Sequence, residues 1–202
     1  MEKLNLIKAE YSAIYTAKSE PSLLDVPALS AFAVDGEGDP NGSALFEAAT
    51  AALYSCAYGI KMGMKKAGAA DWGVMPLEGE WWADDMASFS VDDKSGWKWT
   101  LFIVQPPFIT GAEALEAIAT AKGKKKFSAD VRFERRPAYK AAHILHAGPF
   151  SAEGPTIARL HAFIESSGLR LCGRHREIYL SDSRKTAPER LKTIIMQGVS
   201  GK

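Results

Sequence analysis

The sequence predicts an α+β protein made of two β-α-β-β units, each a small antiparallel sheet backed by a helix. A pseudo-twofold axis is expected to relate them, with a ligand cleft between the halves. Three observations carry this expectation. The order strand, Gly/Pro-rich loop, helix, strand, strand occurs twice; the two loops fall at 36–42 and 148–155; and the closing strands end in Gln105-Pro106 and Gln197-Gly198. The halves run about 29–107 and 138–199, joined by a linking helix and basic stretch at about 108–137, within a single domain 1–202.

Each element has a local reason. The apolar run Leu29–Val34 reads as a strand entering a loop punctuated by Gly36, Gly38, Pro40 and Gly42. Ser43 can cap a helix with Glu47 in its first turn, whose stripe is Leu45, Ala48, Ala49, Ala52, Leu53, Cys56 and Ile60, and Gly68 stops it. WGVMPLEGEWWA and WKWTLFIVQ read as strands joined by the polar turn Asp84–Gly96. Gly111–Thr120 has helical composition, and the basic run Lys122–Arg136 reads as a solvated linker. In the second half, Tyr139–Leu145 is a strand. Ile157, Leu160, His161 and Ile164 form a helical stripe ended by Gly168, and RHREIYLSD and LKTIIMQGV are the closing strands.

Composition excludes several functions. The 202 residues carry 25 Lys+Arg against 24 Asp+Glu, a net charge of +1 and 47% hydrophobic residues, enough to bury a core. A near-neutral chain lacks the overall electrostatic footprint of a nucleic-acid binder, so none is expected as a direct partner. No stretch approaches the roughly 18 to 20 apolar residues of a membrane span, and no signal-peptide core is visible. Two cysteines, Cys56 and Cys172, form no framework and fit a reducing cytoplasm, and buried packing is the default expectation for both. The four histidines show no metal-ligand spacing, and His161 reads as a satisfied core residue. No cofactor or metal is expected.

Strand parity selects the chemistry-bearing residues, because alternate side chains point to opposite faces. In REIYLSD, Ile178 and Leu180 are expected on the helix, which turns Glu177 and Tyr179 away from it. In PLEGEWW, Glu78, Glu80 and Trp82 share one face and Leu77, Gly79 and Trp81 the other. Each half then offers a carboxylate and an aromatic on its uncovered face. A sheltered glutamate beside Tyr or Trp can hold a planar cation, or act as a general base on water with its pKa raised by burial. The plainer alternative is that these are solvent-facing strand residues. All five tryptophans lie between Trp72 and Trp99; Trp97 and Trp99 read as core, whereas Trp82 is the pocket candidate. Tyr54 and Tyr58, one helical turn apart, read first as packing and second as pocket lining.

VMPLEGEWWADD, WKWTLFIVQPPFIT, RFERRP and the segment from HAGPFSAEGP to ERLKTIIMQ together resemble the stand-alone GyrI-like small-molecule-binding domain proteins. The likeness runs from about Leu29 to Gln197 and is most specific in the PLEGEWW strand and in the tail HREIYLSDSRKTAPERLKT. The tail has Arg176 where the family pattern has a second histidine; by parity this faces the helix and is expected to matter little. The resemblance implies the doubled fold and a cleft that takes hydrophobic, planar or cationic xenobiotics. It also implies, for some members, hydrolysis of strained cyclopropanoid alkylating agents. Carried over residue by residue, Glu177 followed by Tyr179 matches the pocket glutamate of the second half, and Glu78 that of the first. Trp82, Tyr179 and Tyr54 are the candidate aromatic partners, Glu177 and Glu78 the candidate catalytic residues, and Glu80 a further ligand contact. The rival reading is a protein-interaction module, such as a gyrase-modulating protein. About 28 residues precede Leu29, too few for a helix-turn-helix module, so a DNA-binding activator is not expected.

Overall fold

The computed structural model of the chain describes residues 3–84 and 93–201. Most of the polar turn expected between the two central strands of the first half lies outside the described residues. In chain order the elements are α1 (Ser12–Tyr15), β1 (Ser22–Val26), β2 (Leu29–Glu37), α2 (Ala44–Lys66), β3 (Glu78–Trp82) and β4 (Lys98–Gln105). They continue with α3 (Gly111–Lys125), β5 (Arg132–Arg136), β6 (Tyr139–Ala147), α4 (Gly154–Ser166), β7 (Leu169–Tyr179) and β8 (Lys192–Gly201). Two compact units result, one from Met1–Glu10 with Leu29–Arg136, the other from Tyr11–Ala28 with Pro137–Lys202.

In the first unit β4 pairs antiparallel with β3 and β2, and β2 pairs with β5, giving the strand order β3-β4-β2-β5. Ser43 caps α2 by accepting from the Phe46 N–H at 3.3 Å, and Gly68, at φ +71°, closes the helix. Phe46 of α2 stacks on Trp81 and meets Trp99 edge-on, so α2 covers the face shared by Trp81, Trp99, Leu101 and Ile103. The basic run is not a linker. Its first half completes α3, whose last turn holds Lys122, Lys124 and Lys125 where cations favour the helix C-terminus, and its second half is β5. Packing the half-buried Phe133 against the fully buried Phe32, ring centroids 5.6 Å apart, gives the arginine-rich segment a reason to join the sheet.

In the second unit β8 pairs with β6 and β7, and β6 also pairs with β1, giving the order β1-β6-β8-β7. The strand β1 comes from the segment before Leu29, where the alternation is too short to announce it. Leu160 and Ile164 of α4 pack into Ala142, Ile144, Ile195 and Val199, which fixes the helix-covered face of this sheet. In both units the third strand of the β-α-β-β order is the one that pairs with the other two.

Two local features yield tests. A Cβ at Gly36 would lie 2.1 Å from Cη2 of the fully buried Trp99. Gly36→Ala should therefore destabilise the protein by about 1–3 kcal/mol through overpacking, read as a lower midpoint in urea unfolding at unchanged m. The cysteines differ from expectation, since Cys172 is exposed and Cys56 alone is buried. Burial pushes the Cys56 thiol up to about 12. An aromatic disulfide reagent at about pH 8 should titrate one thiol in the native protein and both only after unfolding.

Candidate functional site

The register of β7 on β8 decides which side of the second sheet carries the chemistry. Glu177 pairs with Ile195, Tyr179 with Thr193 and His175 with Gln197, and directly opposed residues share a face. Ile195 belongs to the cluster under α4, so His175, Glu177 and Tyr179 lie on the helix-covered face. This overturns the parity assignment from sequence. Ile178 is fully buried on the opposite face, Leu180 is 38% exposed rather than packed under the helix, and Arg176 faces away from α4. Arg176 is also no idle substitution: it is 2% exposed and donates to the Tyr139 hydroxyl at 2.8 Å.

Around Glu177 the contacts are dense. The Tyr179 hydroxyl donates to Oε2 at 2.8 Å, and His175 Nε2 lies 3.1 Å from Oε1. A further hydrogen bond joins the Glu177 side chain to that of Glu153. Two carboxyl groups bonded to each other hold one proton between them, because an ionised carboxylate only accepts. Burial pushes the Glu177 carboxyl up. The hydrogen bond and charge of His175, followed by the bonds from Tyr179 and Glu153, outweigh it and hold Glu177 below the usual carboxylate range. The pKa raised by burial that the sequence suggested is therefore reversed in sign, and Glu177 is the ionised member of the pair.

Glu153 occupies the N-cap position of α4, is 5% exposed and makes no side-chain cap bond. Its carboxyl serves Glu177 instead. The loop that carries it is pinned by His146, whose Nε2–H donates to the Pro149 carbonyl at 3.2 Å while Nδ1 accepts from the Thr156 hydroxyl at 3.0 Å. The same loop places the half-exposed Phe150 edge-on to Tyr179, centroids 5.6 Å apart at 75°. Thr193, opposite Tyr179 and fully buried, finds no hydrogen-bond partner for its hydroxyl among the described residues. His161 on α4 is not the satisfied core residue expected: its Nε2 has no partner there either.

Glu153, His175 and Thr193 were missed from sequence. Two signals were available. Glutamate is a poor N-cap, so its place just before Gly154-Pro155 called for another role, and His175 shares parity with Glu177 and Tyr179.

The first-unit candidates divide between two faces. Glu78, Glu80 and Trp82 pair with Phe102, Thr100 and Lys98, on the side away from α2. Glu78 is completely buried. The Glu80 carboxylate is engaged by Arg136, which also holds Glu134 and lies over the Phe102 ring at 4.1 Å. Arg132 continues the chain of charges, binding Glu134 at 2.6 Å and Asp35 at 2.9 Å, and Asp35 accepts from Thr100 at 2.6 Å. Tyr54 lies on α2, tilted against Tyr58 at 6.1 Å, so it and Trp82 are on opposite sides of the sheet.

Solved structures resemble this arrangement over nearly the whole chain. A conserved protein from Listeria innocua is 37% identical, covering 98% of this chain and 100% of its own, with a TM-score of 0.88. A hydrolase from Listeria innocua is 36% identical over 98% of this chain and 100% of its own, with a TM-score of 0.86. The C-terminal domain of EcmrR, 14% identical over 91% of this chain and 98% of its own with a TM-score of 0.57, shares the fold. No curated protein matches the chain. The model of the GyrI-like small-molecule-binding domain matches residues 19–198, and the chain belongs to that family.

Proposed function

We propose that this protein is a cytoplasmic hydrolase that binds hydrophobic, planar or cationic small molecules and adds water to strained electrophiles of the cyclopropanoid type. The observation that carries the reading is Glu177, a buried carboxylate kept ionised by Tyr179 and His175 and bonded to a second carboxyl that shares a proton with it. The Listeria innocua hydrolase, similar over the whole chain, supports the enzymatic class, and two free cysteines fit a reducing compartment. The repeated pairing order supports descent of the two units from one duplicated β-α-β-β ancestor.

In this mechanism Glu177 takes a proton from water as the water oxygen bonds to the strained ring carbon. The ring C–C bond breaks, its electrons pass to a conjugated carbonyl oxygen, and the proton held by Glu153 satisfies that oxygen. Phe150 and Tyr179 provide flat apolar surface beside the carboxylate.

Two outcomes test this. Glu177→Gln should bind a cyclopropanoid alkylating compound in calorimetry yet lose about 10²–10⁴ in kcat, measured by loss of substrate on liquid chromatography; equal turnover by both proteins refutes the assigned base. The pH profile has a fixed sign. A group held below its ordinary value is charged at neutral pH, so the acid limb of the kcat profile should lie below the usual carboxylate range, with activity lost there as Glu177 is protonated. In His175→Ala the strongest opponent of burial is gone, and that acid limb should move upward.

A further inference from the structure

We propose that the Glu153–Glu177 pair also opens epoxides, adding water across the ring to give a vicinal diol, with apolar aryl epoxides as the substrate class. The proposal rests on the reading of Glu177 as base and extends it to a leaving group with a different demand. A cyclopropanoid ring can pass its electrons into a conjugated carbonyl, whereas an epoxide must release an alkoxide, a poor leaving group unless it is protonated as the C–O bond breaks. Acid and base must therefore stand side by side, and a proton held between two carboxyl groups supplies both at once. No tetrahedral intermediate forms, so no oxyanion hole is required.

The geometry suits this division of labour. Both oxygens of Glu177 are oriented, one by Tyr179 at 2.8 Å and the other by His175 at 3.1 Å. Glu153 is fixed from its backbone, since its carbonyl accepts the first turn of α4 from the Ile157 N–H at 2.9 Å. An independent observation points to an oxygen-bearing ligand on the same face. Thr193, directly across from Tyr179, keeps a fully buried hydroxyl with no partner among the described residues, and such a group is costly until an oxygen satisfies it. Phe150, 43% exposed and edge-on to Tyr179, supplies the apolar wall that selects an aryl substituent.

The step balances without a co-reactant. Water gives a proton to the Glu177 carboxylate, and its oxygen bonds to a ring carbon. The C–O bond of that carbon breaks, and the ring oxygen keeps the electron pair and takes the proton from Glu153. The diol leaves with the proton now on Glu177 and the charge on Glu153, and transfer along their hydrogen bond restores the starting pair.

The test incubates the whole protein with racemic styrene oxide in ¹⁸O-water, with mass spectrometry of the phenylethanediol. Expected are diol formation at least about 10²-fold above buffer, one ¹⁸O per diol from the first turnover, and a loss of about 10² or more in both Glu153→Gln and Glu177→Gln. A bell-shaped pH profile in the wild type supports the shared proton even if a variant fails to fold. First-turnover diol without ¹⁸O overturns the proposal by making a carboxylate the nucleophile, and diol formation indifferent to both substitutions overturns it too. Cyclopropanoid turnover by the same preparation without diol refutes the epoxide chemistry and leaves the base role standing. Loss of both activities refutes both readings.

Discussion

One hydrogen bond, from Glu153 at the start of α4 to Glu177 on β7, sets the terms for the second unit. It needs two carboxyl groups buried together, which is tolerable only when they share a proton and the remaining charge is hydrogen-bonded. Tyr179 and His175 meet that second condition. The first depends on where α4 sits, and apolar packing decides that. Leu160 and Ile164 are fully buried in the sheet, each contributing about 1.5–3 kcal/mol, more than a typical hydrogen bond returns net. The polar site inherits its geometry from the core beneath α4, and His146 locks the connecting loop so that Glu153 and Phe150 arrive together.

The first unit follows the same order of elements but uses its carboxylates differently. Glu80 and Asp35 end a chain of alternating charges through Arg136, Glu134 and Arg132, which binds β5 to the rest of its sheet on the side away from α2. Glu80 is held by a cation, whereas Glu177 is held by a hydroxyl, a histidine and a second carboxyl. The former arrangement stabilises a strand. The latter keeps a buried carboxylate ionised. Carboxylates on corresponding strands of the repeated order therefore need not share a face or a chemistry, because the sign and kind of the neighbours decide what a carboxylate does.

Much of the fold was legible because its signals are local. Ser43 and Gly68 bound α2 as their capping chemistry requires, the stripe from Ala49 to Ile60 is its buried face, and alternation marked β4 and β8. β1 and β5 were not legible. Each is five residues long, and each is held by pairing with a distant strand rather than by its own pattern. Arginines in β5 read as solvated until Glu80, Glu134 and Asp35 neutralise them.

By itself the sequence determined that Glu177 and Tyr179 share a face, that Glu78, Glu80 and Trp82 share another, and that the order of elements repeats, since these follow from the period of a strand and the chemistry of turns. Which face lies under a helix was decided only in three dimensions. Residues 193 to 199 of β8 are buried on both sides of the sheet, so apolar alternation could not name the covered side, and Ile178 was assigned to the wrong one. The partner of Glu177 was likewise hidden. Glu153 lies 24 positions away in the chain, and only the docking of α4 brings the second carboxyl to the site.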